Sequence, residues 1–132
     1  MNYSADTWFF LQLANKHPKA IAIWKEIIEG KGRLLVSTVV IAETVKRFFM
    51  KNLKKELEGL LINLKNSEKV LVAEVTAEIA NDAGKYAYSY DMTIVDGIIL
   101  STALKMNYKN IISIDEHYKH AEKQELVKRV FW

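Results

Sequence analysis

Four acidic residues stand where carboxylates could gather round a divalent cation: Asp6, Glu43, Asp96 and Asp115. Asp6 closes a short N-terminal segment, Met1 to Ala5, and Asp115 directly follows the run Ile111-Ile112-Ser113-Ile114. Glu43 lies early in the helical pattern after Leu34-Leu35-Val36-Ser37, and Asp96 lies in the first turn of another, opened by Thr93. In an open parallel sheet, ligands bind beyond the carboxyl ends of the strands, and three of these acids sit just past strand-like runs. Gathered carboxylates repel one another, so at least one pKa rises unless a cation compensates. Mg²⁺ and Mn²⁺ are hard ions that prefer oxygen ligands and keep some of their waters. Such an ion lowers the pKa of a bound water and neutralises charge developing on a phosphodiester under attack. With no cysteine and only three histidines (His17, His117 and His120), a zinc site or a histidine acid–base mechanism is disfavoured.

Each acid also has a plainer reading. Asp6 suits the N-cap of the following helix, and Asp115 suits the cap of a last helical turn. Asp96 stands three residues after Thr93, the spacing of a capping box with Asp in place of Glu or Gln. Glu43 has Lys46 and Arg47 at i+3 and i+4, the arrangement of a solvated, salt-bridged helix face. Spacing alone does not decide between the two readings.

The elements that must position these acids can be read from hydrophobic pattern and punctuation. Residues 8–15 and 18–30 read as helical, and Gly30 and Gly32 then break the chain. The short apolar run 34–37 fits a strand buried on both faces, as a parallel sheet requires. Helical pattern resumes from Val39 to Lys51. Leu53, Leu57, Leu60, Leu61 and Leu64 then form one apolar stripe of a second helix. Val70-Leu71-Val72 is a further strand, and Thr76 caps a helix running to about Tyr90. Thr93 opens the next helix, to about Met106, followed by a turn at 107–110, a strand at 111–114 and an edge strand within 127–132. Strands alternating with helices predict an α/β fold of right-handed βαβ units, with a parallel sheet covered on both sides.

Composition sets the bounds. The chain has 132 residues, one proline and five glycines, with no linker-like tract, and reads as one domain, residues 1–132. It is 50% hydrophobic and 27% charged, the balance of a soluble globular protein. No stretch reaches the roughly 18 uninterrupted apolar residues that cross a bilayer, and no signal sequence is evident. A soluble, cytoplasmic protein with no membrane partner is the expectation. The net charge of +3 gives mild support to an anionic partner. Lys46, Arg47, Lys51, Lys54 and Lys55 cluster just beyond Glu43, as substrate-phosphate contacts or as an ordinary solvated face. Phe48, Phe49 and Met50 are consecutive, so one helix face cannot bury all three. With the leucine stripe they suggest a second apolar surface, for a protein partner or for internal helix packing. Tyr86, Tyr88 and Tyr90 read as base-stacking residues or, more commonly, as packing at helix ends or in a dimer interface, and Asp91 as a loop or cap residue or, less commonly, a fifth acid near the site.

The chain resembles the PIN-domain family, most closely its small stand-alone toxins of the VapC type. Four places spread over nearly the whole chain carry the likeness. A short strand runs into Asp6-Thr7. The segment Ser37-Thr38-Val39-Val40-Ile41-Ala42-Glu43 is similar to the family's S-x-x-x-x-x-E. The helix Asp96-Gly97-Ile98-Ile99-Leu100-Ser101-Thr102-Ala103 is similar to D-a-x-I-x-x-x-A. Ser113-Ile114-Asp115-Glu116-His117-Tyr118 is similar to [ST]-x-D-x-x-F. What the resemblance implies is a three-layer α/β/α sandwich with a parallel five-stranded sheet of order 3-2-1-4-5. It implies a Mg²⁺ or Mn²⁺ site of Asp6, Glu43, Asp96 and Asp115, with Thr7 and Ser113 orienting the carboxylates. It also implies cleavage of single-stranded RNA to a 3′-hydroxyl, an antitoxin partner and a homodimer. The departures are Gly97 for the commoner Ala (a small change), Tyr118 for Phe, and a first strand, Asn2-Tyr3-Ser4-Ala5, less apolar than usual. Two rival readings stand beside the toxin: a PIN nuclease of RNA processing without an antitoxin, and a PIN-like fold that binds RNA or protein without cutting. An aspartate phosphatase fits poorly, because Trp8 stands where its second Asp belongs.

Overall fold

Capping residues set where the helices begin. Asp6, Ser37, Thr76 and Thr93 each accept a backbone N–H with the side chain, and His17 does so just before Pro18. The computed structural model describes residues 1–132. In chain order the elements are β1 (Asn2–Ala5), α1 (Thr7–Ala14), α2 (Pro18–Ile28), β2 (Arg33–Ser37), α3 (Thr38–Met50), α4 (Lys54–Asn66), β3 (Val70–Ala73), α5 (Ala77–Tyr90), α6 (Ile94–Met106), β4 (Asn110–Ile112), a 3₁₀ turn (Glu116–Tyr118), α7 (Lys119–Lys123) and β5 (Lys128–Val130). No helix is long and apolar enough to cross a membrane.

All four strand pairings are parallel, and the sheet order is β3-β2-β1-β4-β5. Tyr3 of β1 stands between Leu34 of β2 and Asn110 of β4. Leu34, Leu35 and Val36 are fully buried, as a central parallel strand with both faces covered demands. Right-handed crossovers put the helices between β1, β2 and β3 on one face, and those leading to β4 and β5 on the other. The result is a three-layer α/β/α sandwich. The direction of winding reverses between β1 and β4. A crevice therefore opens beyond their carboxyl ends.

The weakly apolar first strand proves central. Ser4, with an apolar neighbour on either side, is buried with them, because small residues let helices approach both faces of β1. One expectation needs correction. The strand expected over 111–114 stops at Ile112: Ser113 still donates its backbone N–H to Val130, but its side chain turns into the crevice and Ile114 is exposed. The 3₁₀ turn and α7 had no periodic signal, being three and five residues long. Tyr86 and Tyr90 stack in parallel, with ring centroids 6.0 Å apart, while Tyr88 projects into solvent. Asp91 is the left-handed cap of α5.

Gly97 is more than a small change. A Cβ there would come within 2.6 Å of the Ala83 carbonyl oxygen and 3.4 Å of Ala87 Cβ. Helices α5 and α6 thus touch backbone to backbone one residue after Asp96. Gly97→Ala gains helix propensity of up to ~1 kcal/mol but forces the helices apart, and overpacking of that kind costs about 1–3 kcal/mol. We predict a net loss of about 1–2 kcal/mol in urea unfolding. Unchanged or increased stability would show that α5 and α6 can separate freely.

Candidate active site

The loop after each of two neighbouring strands delivers one acid. Asp6 follows β1 and N-caps α1, accepting the Thr7 amide on Oδ1 at 2.7 Å. Its Oδ2 accepts from Ser113 Oγ at 2.6 Å, and Ser113 Oγ in turn accepts the Asp115 amide at 3.0 Å. One hydroxyl thereby ties the end of β1 to the segment after β4. Asp6 is both a helix cap and a cleft residue, so the two readings of its sequence position are compatible.

Glu43 lies on α3, and its Oε1 accepts the Thr7 hydroxyl at 2.5 Å. It turns to α1 rather than to Lys46 or Arg47, so the salt-bridged-face reading does not hold. Asp96 gives its backbone N–H to the Thr93 hydroxyl at 3.1 Å, half of a capping box. Its carboxylate faces the crevice instead, with Oδ2 at 2.7 Å from His117 Nδ1 and Oδ1 accepting from Tyr118 Oη at 3.3 Å. Asp115 caps the 3₁₀ turn, its Oδ1 accepting the His117 amide at 2.9 Å. All four acids line one cleft of about 550 Å³, together with Thr7, Ser113, Trp8, Arg47 and His117.

Burial controls the electrostatics. Asp6 is 8% exposed and Asp96 6%. Desolvation pushes the Asp6 carboxyl up to about 6, against the opposing pull of the Ser113 and Thr7 hydrogen bonds, with Asp96 and Glu43 adding repulsion. Asp96 is raised as well, first by burial and then by Asp115, while the His117 contact holds it back. The His117 imidazole is raised, chiefly by its bond to Asp96. Tyr118, fully buried and facing three acids, is held well above its ordinary value and keeps its proton to donate. Two buried carboxylates whose pKa values are raised first by desolvation, in a concave cleft lined by two further carboxylates, suit a hard divalent cation.

The sequence alone did not mark His117 as part of this site, whereas Arg47 was legible as a phosphate contact and Tyr118 as the aromatic of the fourth motif. His117 belongs because Asp115 caps its amide, which sets the ring beside Asp96. Asp–x–His across an N-cap is the signal that could have found it. Tyr118 supplies a hydroxyl that a phenylalanine lacks.

The PIN domain family model matches residues 3–124. The chain belongs to the PIN domain family. Solved structures of the same fold include VapBC2 from Rickettsia felis bound to a DNA fragment from their promoter, at TM-score 0.74 and 18% identity, covering 100% of this chain and 99% of that one. VapC20 of Mycobacterium tuberculosis, a toxin that cleaves the sarcin–ricin loop, superposes at TM-score 0.74 with 20% identity, over 90% of this chain and 94% of that one. VapBC-1 of nontypeable Haemophilus influenzae gives 0.62 at 21% identity, over 100% and 98%. No curated protein sequence matches. At these identities the neighbours establish the PIN fold.

The raised Asp6 makes the ion-free PIN domain pH-sensitive. Because its folded pKa lies above its unfolded value, folding takes up a proton between about pH 4 and 6, and stability falls as pH rises through that window. Above it the cost of a buried charge is fully present, about 2–3 kcal/mol. Asp6→Asn keeps a hydrogen-bonding oxygen without the charge. In EDTA it should match wild type near pH 4 and exceed it by about 2 kcal/mol at pH 7.5. A difference that does not change with pH would contradict the assignment.

Proposed function

We propose that this PIN domain is a Mg²⁺- or Mn²⁺-dependent endoribonuclease that cuts single-stranded RNA, the toxin half of a toxin–antitoxin pair. The observation that carries the reading is the convergence of Asp6, Glu43, Asp96 and Asp115 on one cleft at the carboxyl edge of the sheet. These four acids would hold the ion. Once bound, it would lower the pKa of a water and neutralise charge developing on the scissile phosphate.

The rest falls to the chain. Ser113 and Thr7 hold Asp6, Thr7 also holds Glu43, and Tyr118 holds Asp96, so each of these carboxylates has a fixed orientation before substrate arrives. Arg47, at the cleft wall, suits a phosphate through its planar fork of donors. Lys46 and Lys51, exposed farther along and just beyond α3, extend a positive track that would make RNA binding salt-dependent.

A separate apolar groove supports the antitoxin. It is about 350 Å³, is lined by Phe10, Leu13, Ile21, Trp24, Phe48 and Leu60, and lies among α1 to α4. Phe48 is buried, whereas Phe49 and Met50 stay exposed. A helical antitoxin segment would lay its apolar face there, and exposed apolar residues elsewhere would serve a homodimer.

The test is cleavage of a defined single-stranded RNA by purified protein. With Mn²⁺ or Mg²⁺ the wild type should cut and leave 3′-hydroxyl ends. EDTA should abolish cutting, and Asp6→Ala and Asp96→Ala should each lower the rate by at least about 100-fold. Equal activity in EDTA, or survival of either variant, would reject the mechanism. RNA binding without cutting under all conditions would favour the non-catalytic rival.

A further inference from the structure

His117 is placed where an ion held by Asp96 and Asp115 would find a nitrogen donor. The 3₁₀ turn that begins at Asp115 drives Tyr118 into the core and turns the preceding ring back over the cleft. Nδ1 of His117 lies 2.7 Å from Asp96 Oδ2 and 3.1 Å from Asp115 Oδ1. A donor atom from each of the three residues falls within 4.8 Å of the other two. An octahedral ion with bonds of about 2.1 Å has neighbouring donors roughly 3.0 Å apart, the bond length times the square root of two. The two nitrogen–oxygen separations bracket that edge.

We propose that His117 Nδ1 is itself a ligand of the divalent ion, alongside Asp96 and Asp115, and biases the site toward Mn²⁺ over Mg²⁺. Imidazole is a softer donor than carboxylate, and Mg²⁺ is the harder ion with the stronger preference for oxygen. As a ligand, Nδ1 would be unprotonated, any proton on it passing to solvent and Nε2 keeping the ring N–H, while the two carboxylates keep their places. The ring is half-exposed, so this adjustment requires no repacking of the core. This proposal rests on the reading that the cleft takes a divalent ion.

The competing role for His117 is that of a cationic bridge, which offsets the two carboxylates and must be displaced by an incoming ion. The two roles predict opposite signs. As a ligand, His117 strengthens ion binding; as a bridge, it weakens it. Wild-type protein and His117→Ala should be titrated calorimetrically with MnCl₂ and with MgCl₂. Pulsed electron paramagnetic resonance on the Mn²⁺ complexes would report a directly bonded ¹⁴N. We expect a ¹⁴N coupling in the wild type that is missing from His117→Ala. The variant should bind Mn²⁺ at least tenfold more weakly and Mg²⁺ less than threefold more weakly, with an unchanged circular dichroism spectrum. Equal losses for both ions, unchanged or tighter binding in the variant, or no ¹⁴N coupling in the wild type would overturn the ligand assignment and leave the four-carboxylate site standing. A wild type that binds neither ion would overturn both. His117→Gln, which keeps a polar side chain of similar reach, separates loss of the imidazole from loss of bulk: it should behave as His117→Ala does.

Discussion

Two carboxylates buried side by side constrain the rest of this structure. Asp6 and Asp96 are nearly removed from water and repel each other across the crevice. A charge in that position is costly unless it is hydrogen-bonded and neutralised. The surrounding groups supply the hydrogen bonds: the Ser113 hydroxyl and the Thr7 backbone amide to Asp6, and the Tyr118 and His117 side chains to Asp96. What the chain does not supply is a full counter-charge. His117 is the one basic side chain in contact with Asp96, and it bonds Asp96 and Asp115 while leaving Asp6 without a basic partner.

The fold's topology provides the place where that requirement can be met. Carboxylates can be buried together only where backbone donors and strand ends converge, and the reversal between β1 and β4 creates such a place. Ser113 links the two strands across it. The close approach of α5 and α6 at Gly97 then fixes the start of α6, and with it Asp96. Stability and site geometry therefore share residues. That is the usual condition of a preorganised site, in which strain and charge are held in place by neighbouring packing.

Most of this was legible in the sequence, for physical reasons. The caps Asp6, Thr76 and Thr93 and the continuous apolar run of β2 are local signals, and they marked their elements to within a residue or two. Three of the acids were legible as strand-end residues and Asp96 as a helix-start residue, but not the four as a cluster, since convergence is a property of the sheet order. Family resemblance supplied that order. Glu43 could not be read locally. Its basic neighbours at i+3 and i+4 suggested an ion pair, and only the packing of α1 on α3 shows that Thr7 claims it. His117 was passed over because three scattered histidines carry no pattern, and its role depends on Asp96, 21 positions away. The short α7 lacks enough turns for periodicity to register.

If unmet charge in the cleft governs the site, a divalent ion must stabilise the folded state by binding it preferentially. The most direct measurement is thermal and urea unfolding of the wild type at pH 7.5 across a MnCl₂ series. We predict that stability climbs with the logarithm of ion concentration, by about 2.7 kcal/mol at one hundred times the dissociation constant. The rise should largely vanish in Asp96→Asn. A wild type whose unfolding is indifferent to Mn²⁺ would contradict the view that these carboxylates are arranged for a cation.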